Sequence, residues 1–579
     1  MCGIAGIITQ EKSTPGTVEA MIARMKHRGP DDEGFYYYNE VALGQSRLSI
    51  IDLAGGHQPM YSSDKKLALV FNGEIYNYKE LTAELEQKGY TFVTKSDSEV
   101  LLHLYEEYGK EMLGLLNGMF AFAIYNQDTN KLFVARDRVG VKPLYIFNHG
   151  GTFAFASEIE GLRALPSVKE KLTVNHDALW HYFSLLYIPP PLTIYKEINH
   201  LPAGHYLTFQ DGELEIKQYW QLRIEPDETL DFKKTVDELE SLIASSVQLR
   251  MQSDVPYGAY LSGGVDSSLI VGKMAGVSDQ PVKTFTARVV SEEFDESTFA
   301  ATVAEHYKTD HKILTVEKID FSLLKNLLPH FGQPFADSSI LPTYLISKKI
   351  REYVTVVLGG DGGDELFSGY DKYKAVLNTD DNEVVRHAFV NRVPAGVKEE
   401  FFTDKFQTSL SDKDTFSFLL QDKDNNNYQG YNLLRFLDMK FFLQGDILPK
   451  LDSMSMANSL EAREPLLDYR IIELAERLPK SFLIGPERNK IILKAMLEKY
   501  FPKEFVNRQK VGFIIPVATW IEQHTTAVLE ATLPKEMETL VNRPALEDMV
   551  ERFRQGEKQL ANFLFAYLIF TYWANEFTP

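Results

Sequence analysis

Cys2 is the residue with the most chemical reach in this sequence: it is the only cysteine and directly follows the initiator methionine. Loss of Met1 would put a free α-amine on the same residue as the thiol. Such an amine has an ordinary pKa of about 7.7–8.0, so part of it is free base near neutrality. It can take the thiol proton and later deliver a proton to a leaving group, which makes one residue both nucleophile and base. Taken alone, Cys2 reads as readily as a small packed side chain, since free cysteines are usually buried. Two glycine-rich stretches carry other chemistry. Ser262 to Ser268 reads SGGVDSS, between the strand-like GAYL and a helical run. Serine hydroxyls and successive N–H groups at a helix start receive anions, and Gly263 and Gly264 let the backbone come close to a ligand. The pattern is not G-x-x-x-x-G-K-S/T, so no loop lysine follows a terminal phosphate. Asp266 among anion-binding donors makes sense when a cation lies between carboxylate and phosphate. The second stretch, GGDGGDELFSGY from Gly359 to Tyr370, sets Asp361, Asp364 and Glu365 after the strand-like YVTVVL. Open α/β sheets bind ligands at that end of their strands.

Further motifs join these. MCGIAG at the start, HRGPD (His27 to Asp31), RLSIID (Arg47 to Asp52), NGEIYN (Asn72 to Asn77) and SDSE (Ser96 to Glu99) follow in that order. Together they resemble the glutaminase domain of class II glutamine amidotransferases, over roughly residues 2 to 210. The resemblance implies that Cys2 attacks glutamine and that Arg47 pairs with its α-carboxylate, a role suited to a guanidinium fork. It implies that Asp97 holds the α-ammonium and that Asn72 and the N–H of Gly73 form the oxyanion hole. Glu74 and the backbone of Leu48, Ser49, Ile50 and Ile51 would complete the pocket. His27 and Arg28 read as a structural turn with satisfied side chains rather than as catalytic groups.

The S-G-G-x-D-S-S loop resembles the pyrophosphate loop of ATP pyrophosphatases, which cleave ATP between the α- and β-phosphates. EAREPLLD (Glu461 to Asp468), RNKIILKAM (Arg488 to Met496) and RQKVGFIIP (Arg508 to Pro516) add basic residues. With the two loops they resemble the synthetase domain of glutamine-hydrolysing asparagine synthetases, from about Val236 to the C-terminus. That implies an ATP site built from Leu261, Ser262, Gly263, Gly264, Asp266, Ser267 and Ser268, with Ala287, Gly359 and Gly360 from neighbouring segments. Asp266 and Asp364 would ligate Mg²⁺, and Lys490 would stabilise charge on phosphates or on the tetrahedral intermediate. The better-known members carry glutamate in G-E-G-x-D-E where this chain has Asp361, the implied general base. The implied reaction is glutamine-dependent conversion of aspartate to asparagine through an adenylate. The alternative is amidation of another carboxylate, such as a cell-wall or secondary-metabolite precursor, because YIPPPLTIYKEI resembles bacterial members whose acceptors vary. Dimerisation is common in the family, which puts a homodimer among the expectations.

The elements that must position these residues fall into two groups. At 579 residues the chain exceeds a single hydrophobic core. The expected domains are 2–211 and 228–579, with a polar linker at Pro226 to Asp231. Short strands rich in Ile, Val, Phe and Tyr fill the first part, with helical spacing in YKELTAELEQKG and SEVLLHLYEEYG. This predicts an α+β layered N-terminal nucleophile hydrolase domain, with the proline-rich stretch from Tyr187 to Trp220 leading out of it. Strands then alternate with longer helices, which predicts an α/β parallel sheet of the ATP-pyrophosphatase type covered on both faces. From about Leu377 the pattern turns mostly helical. LANFLFAYLIFTYWANEF reads as a buried C-terminal helix, since it falls short of the roughly 20 apolar residues of a membrane span. DKDNNNYQGY (Asp422 to Tyr431) lacks the glycine and glutamate of a calcium loop and reads as a solvated loop. A net charge of −20 disfavours nucleic acid and anionic membranes as partners. One thiol and the lack of a basic n-region before the first apolar run predict a cytoplasmic home.

Overall fold

The computed structural model describes residues 2–10, 14–289, 296–316, 321–508 and 516–577. Its first part is built on two antiparallel six-stranded sheets. The strands are, in chain order, β1 (Cys2–Ile8), β2 (Asp32–Tyr38), β3 (Val41–Arg47), β4 (Met60–Tyr61), β5 (Leu67–Ile75) and β6 (Gly118–Asn126). There follow β7 (Lys131–Arg136), β8 (Tyr145–His149), β9 (Thr152–Ala156), β10 (Ile198–His200), β11 (His205–Gln210) and β12 (Glu213–Gln218). One sheet runs β10-β8-β9-β1-β3-β2 and the other β12-β11-β7-β6-β5-β4. Ile4, Leu43 and Phe155 of the first meet Val70, Ala121 and Val134 of the second in a shared core. The outer face of the second sheet packs on the helices Tyr78–Gln87 and Asp97–Tyr108 through Phe71, Phe122, Leu101 and Leu104. The helix Thr17–Ala23 lies against β1 and β3. Strands covered on both sides have no wet face, which is why β5 and β6 read as nearly unbroken apolar runs. The hairpin β11–β12 closes this sheet, so the stretch expected to lead out of the first domain stays in it, past residue 211, to Gln218.

A five-stranded parallel sheet organises the second part. It comprises β13 (Tyr257–Tyr260), β14 (Lys283–Val289), β15 (Asp310–Val316), β16 (Val356–Leu358) and β17 (Glu461–Arg463), in the order β15-β14-β13-β16-β17. The helices Phe232–Arg250 and Val265–Val277 pack together through the largest apolar cluster, which also takes in Val356 and Leu358. Ile346, Ile350 and Leu451 pack with Phe285 and Val357 in a separate cluster. Beyond Leu377 the described chain is almost wholly helical and ends in the buried helix Ala561–Phe577. Among the described residues no helix is long and apolar enough to cross a membrane. The largest apolar cluster runs without a break from Ala5 to Ala574, so the two parts share a core.

Candidate active site

Strand pairing sets Cys2 directly opposite Arg47 across β1 and β3. The N–H of Cys2 donates to Asn72 Oδ1 at 3.0 Å, and Arg28 Nε donates to the Cys2 carbonyl at 3.1 Å. The other half of the Asn72 amide, Nδ2, is buried and has no hydrogen-bond partner among the described residues. An orphaned buried donor costs about 1–3 kcal/mol, so its retention beside a thiol suits a donor kept for a ligand. A Cβ at Gly73 would stand 2.0 Å from the Met119 carbonyl oxygen, so only glycine lets β5 lie against β6 there.

Cys2, Arg47, Leu48, Ile50, Ile51, Gly73, Glu74 and Asp97 line one cavity of about 20 Å³. Ser49 and Asn72 are not among its lining residues: the Ser49 N–H is held by Asp31 Oδ2 at 2.8 Å, and the Asn72 amide is turned to the Cys2 N–H. Gln58, Phe71, Ser96 and Ser98 also line it and were not foreseen. Gln58 bridges the pocket wall, receiving the Phe71 N–H at 2.7 Å and donating to Ser98 Oγ at 3.0 Å. The Arg47 guanidinium donates to the carbonyls of Ile51 at 3.1 Å and Asp52 at 2.9 Å, fixing the loop that rims the pocket. Ser96 caps the helix Asp97–Tyr108, which sets Asp97 in its first turn, where the helix dipole favours a carboxylate. Burial nevertheless pushes Asp97 up to about 6, against the Ile75 N–H that lowers it. Burial, then the charges of Asp97 and Glu461, push Glu74 well up. Burial also pushes the Cys2 thiol up, so the nucleophile rests protonated and needs a base.

The second site lies at the carboxyl ends of β13 and β16. Ser262 Oγ accepts the Gly264 N–H and lies 3.1 Å from Ser267 Oγ. Ser268 Oγ is buried without a partner among the described residues, again a polar atom free for a ligand. Gly263 takes φ +75°, and a Cβ there would meet the Ala300 nitrogen at 2.7 Å. A Cβ at Gly360 would stand 2.8 Å from the Asp266 Cβ, so the two glycine loops pack on each other through that glycine. Lys490 Nζ bridges Asp266 Oδ2 at 2.5 Å and Asp364 Oδ1 at 2.6 Å. Burial, with Arg488 and Lys490 nearby, pushes Lys494 down to about 8. Arg508 Nη2 donates to the Gly263 carbonyl at 2.5 Å, and the rest of RQKVGFIIP, residues 509–515, lies outside the described residues. Leu261 is fixed by its N–H to the Phe285 carbonyl at 2.8 Å, while Ala287 lies on β14 opposite Leu314. The Asp361 carboxylate folds back over Gly359. Glu365, left out of the expected site, is buried and held up at about 7 by burial and by Asp364.

Arg463 faces both sites. Its Nη2 lies 3.4 Å from Glu74 Oε1 in the Cys2 pocket, and its Nε 2.6 Å from Glu461 Oε1. Its main-chain carbonyl accepts the Gly359 N–H at 2.9 Å, at the base of the second glycine loop. The motif had been read only as a source of basic residues.

A thiol-bearing, four-layered half joined to a phosphate-loop half is the arrangement of a glutamine-dependent ligase. The family model for a glutamine amidotransferase domain matches residues 1–220, and the asparagine synthase model matches residues 238–575. Glutamine-hydrolyzing asparagine synthetase 1 of Bacillus subtilis is 30% identical over 99% of this chain and 96% of its own. A putative asparagine synthetase of Mycobacterium tuberculosis is 31% identical over 99% of this chain and 97% of its own. A second putative synthetase, from Methanocaldococcus jannaschii, is 40% identical over 64% of this chain and 76% of its own. The chain belongs to the asparagine synthase family.

Proposed function

We propose that this chain makes asparagine from aspartate, with glutamine as nitrogen donor and ATP as activator. After loss of Met1, the Cys2 α-amine takes the thiol proton and the thiolate attacks the glutamine carboxamide. Asn72 Nδ2 and the Gly73 N–H receive the developing oxyanion. The ammonium of Cys2 returns its proton to the departing ammonia, and water then releases glutamate from the thioester. In the second site the Ser262–Ser268 loop and Lys490 hold the β- and γ-phosphates. The β-carboxylate of aspartate attacks the α-phosphorus and pyrophosphate leaves. Ammonia then attacks the acyl carbon, Asp361 takes its excess proton, and AMP departs. Ammonia passes between the sites away from bulk water, which near neutrality would turn it into unreactive ammonium. Asp266 and Asp364 supply hard oxygen donors, both turned here to the Lys490 ammonium, and carboxylates of this kind fit Mg²⁺. When bound, the ion would neutralise charge on the phosphate oxygens. The lone cysteine stays reduced in the cytoplasm, where this reading places the reaction.

The observation that carries this reading is Asn72, whose amide holds the nucleophile's nitrogen with one end and keeps an unused buried donor at the other. The test follows asparagine, AMP and pyrophosphate together, with glutamine, MgATP and aspartate supplied. Matched appearance of all three is expected. Cys2→Ala should abolish synthesis from glutamine and spare synthesis from added ammonia. Glutamate release without asparagine would send the search to another carboxylate acceptor.

A further inference from the structure

A second cleft, of about 290 Å³ and sharing no lining residue with the Cys2 pocket, opens between the two parts of the chain. His27 and Glu158 reach it from the first part, and His330 from the second. His27 Nε2 lies 2.9 Å from Glu158 Oε1 and 3.2 Å from His330 Nδ1, and all three ligand atoms fall within 4.8 Å of one another. These contacts are hard to satisfy with hydrogen bonds alone. An imidazole nitrogen has one in-plane position, a proton or a lone pair, and here it faces two neighbours. Glu158 Oε2 is buried and has no hydrogen-bond partner among the described residues, although its residue is only 4% exposed. Ligand atoms bound tetrahedrally at about 2.0–2.1 Å stand roughly 3.3 Å apart, close to the spacing seen here.

The geometry points to a binding site for one Zn²⁺-class divalent transition ion, held by His27, Glu158 and His330 and clasping the two parts of the chain together. Two imidazoles and one carboxylate suit such an ion, whereas Mg²⁺ and Ca²⁺ want an oxygen shell. The open cleft leaves a fourth position for water. Arg28 donates to Glu158 Oε1, and its charge is shared with Asp452. Ser459 Oγ donates to the His27 carbonyl at 2.6 Å, which braces that histidine from the second part.

The probe is Co²⁺, titrated into the untagged full-length chain with Mg²⁺ in saturating excess. A Cys2→Ala background removes the competing thiol. One Co²⁺ per chain should bind at micromolar concentration, with visible d–d bands and no sulfur charge-transfer band. His330→Gln should weaken binding by at least about tenfold, since even an outer-shell partner's loss costs that much. Zn²⁺ should raise the melting temperature of the parent and leave that of His330→Gln unchanged. Glu158→Gln is the second variant; should it fail to fold for want of a charge beside Arg28, His330→Gln carries the test. Absence of stoichiometric uptake, or uptake undiminished in His330→Gln, overturns the site.

Discussion

Asp97 is a buried carboxyl to which the family resemblance gives a cationic guest. It is held at about 6 with burial as the leading cause, so it gains a proton as the pH falls through that value. A glutamine ammonium held there, as the family resemblance implies, would then lose its counter-charge. KM for glutamine should rise below about pH 6, by roughly ten- to a hundredfold, the worth of a charge-assisted hydrogen bond. Synthesis from ammonia should not share that inflection. Steady-state kinetics between pH 5 and 8 checks this, and a KM flat across the range would remove Asp97 from the pocket. Residue types at motif spacing singled out in advance Cys2, Arg47, Leu48, Ile50, Ile51, Gly73, Glu74 and Asp97, which the structure gathers around one pocket. Gln58 and Ser98 were not singled out, because they work through a hydrogen bond across the wall that only folding creates. Glu365 lay within a motif already singled out, yet nothing in the sequence tells a buried carboxyl from a solvated one.

At the level of elements, the two glycine loops meet at a point with no room for a methyl group. Gly360→Ala would press its Cβ to 2.8 Å from the Asp266 Cβ and drive the loops apart. A displacement near 1 Å costs about a hundredfold in rate when groups must be held for attack. Pyrophosphate release should therefore fall by about that factor with either nitrogen source, while glutamine hydrolysis continues. Equal loss of both activities would show damage beyond the loop. Strands of the first part could be read because apolar runs between turns have few other uses. The strand β17 could not: its three residues include Glu461 and Arg463, both fully buried, and two ions hide the pattern that marks a strand. The hairpin β11–β12 was hidden in the same way, since the prolines before it suggested an exit and β12 is largely exposed.

For the whole molecule, the seam between the two parts is polar as well as apolar. Arg28, wholly buried, joins Glu158 at 2.9 Å to Asp452 at 2.8 Å, and Lys142 reaches the same Asp452 at 3.3 Å. Removing one partner of such a set leaves buried charge uncompensated and costs about 3–5 kcal/mol. Arg28→Ala should lower the unfolding free energy by that order in denaturant titration, and a change below about 1 kcal/mol would mean that water fills the seam. The sign with pH follows from Glu158, whose folded carboxyl sits at about 2 against an ordinary 4.5. Its contribution is complete above about pH 4.5 and disappears as the pH falls towards 2. The division into two parts was legible from the switch in pattern, but the seam was not, because its partners lie hundreds of positions apart. Arg463 gives that seam a thermodynamic meaning. One guanidinium leans on a carboxylate of the first pocket while the same residue's carbonyl fixes the loop of the second. Should occupancy of one pocket shift Arg463, linkage makes the exchange even-handed: whatever factor the ligand of the second pocket imposes on the dissociation constant of the first, the first imposes on the second.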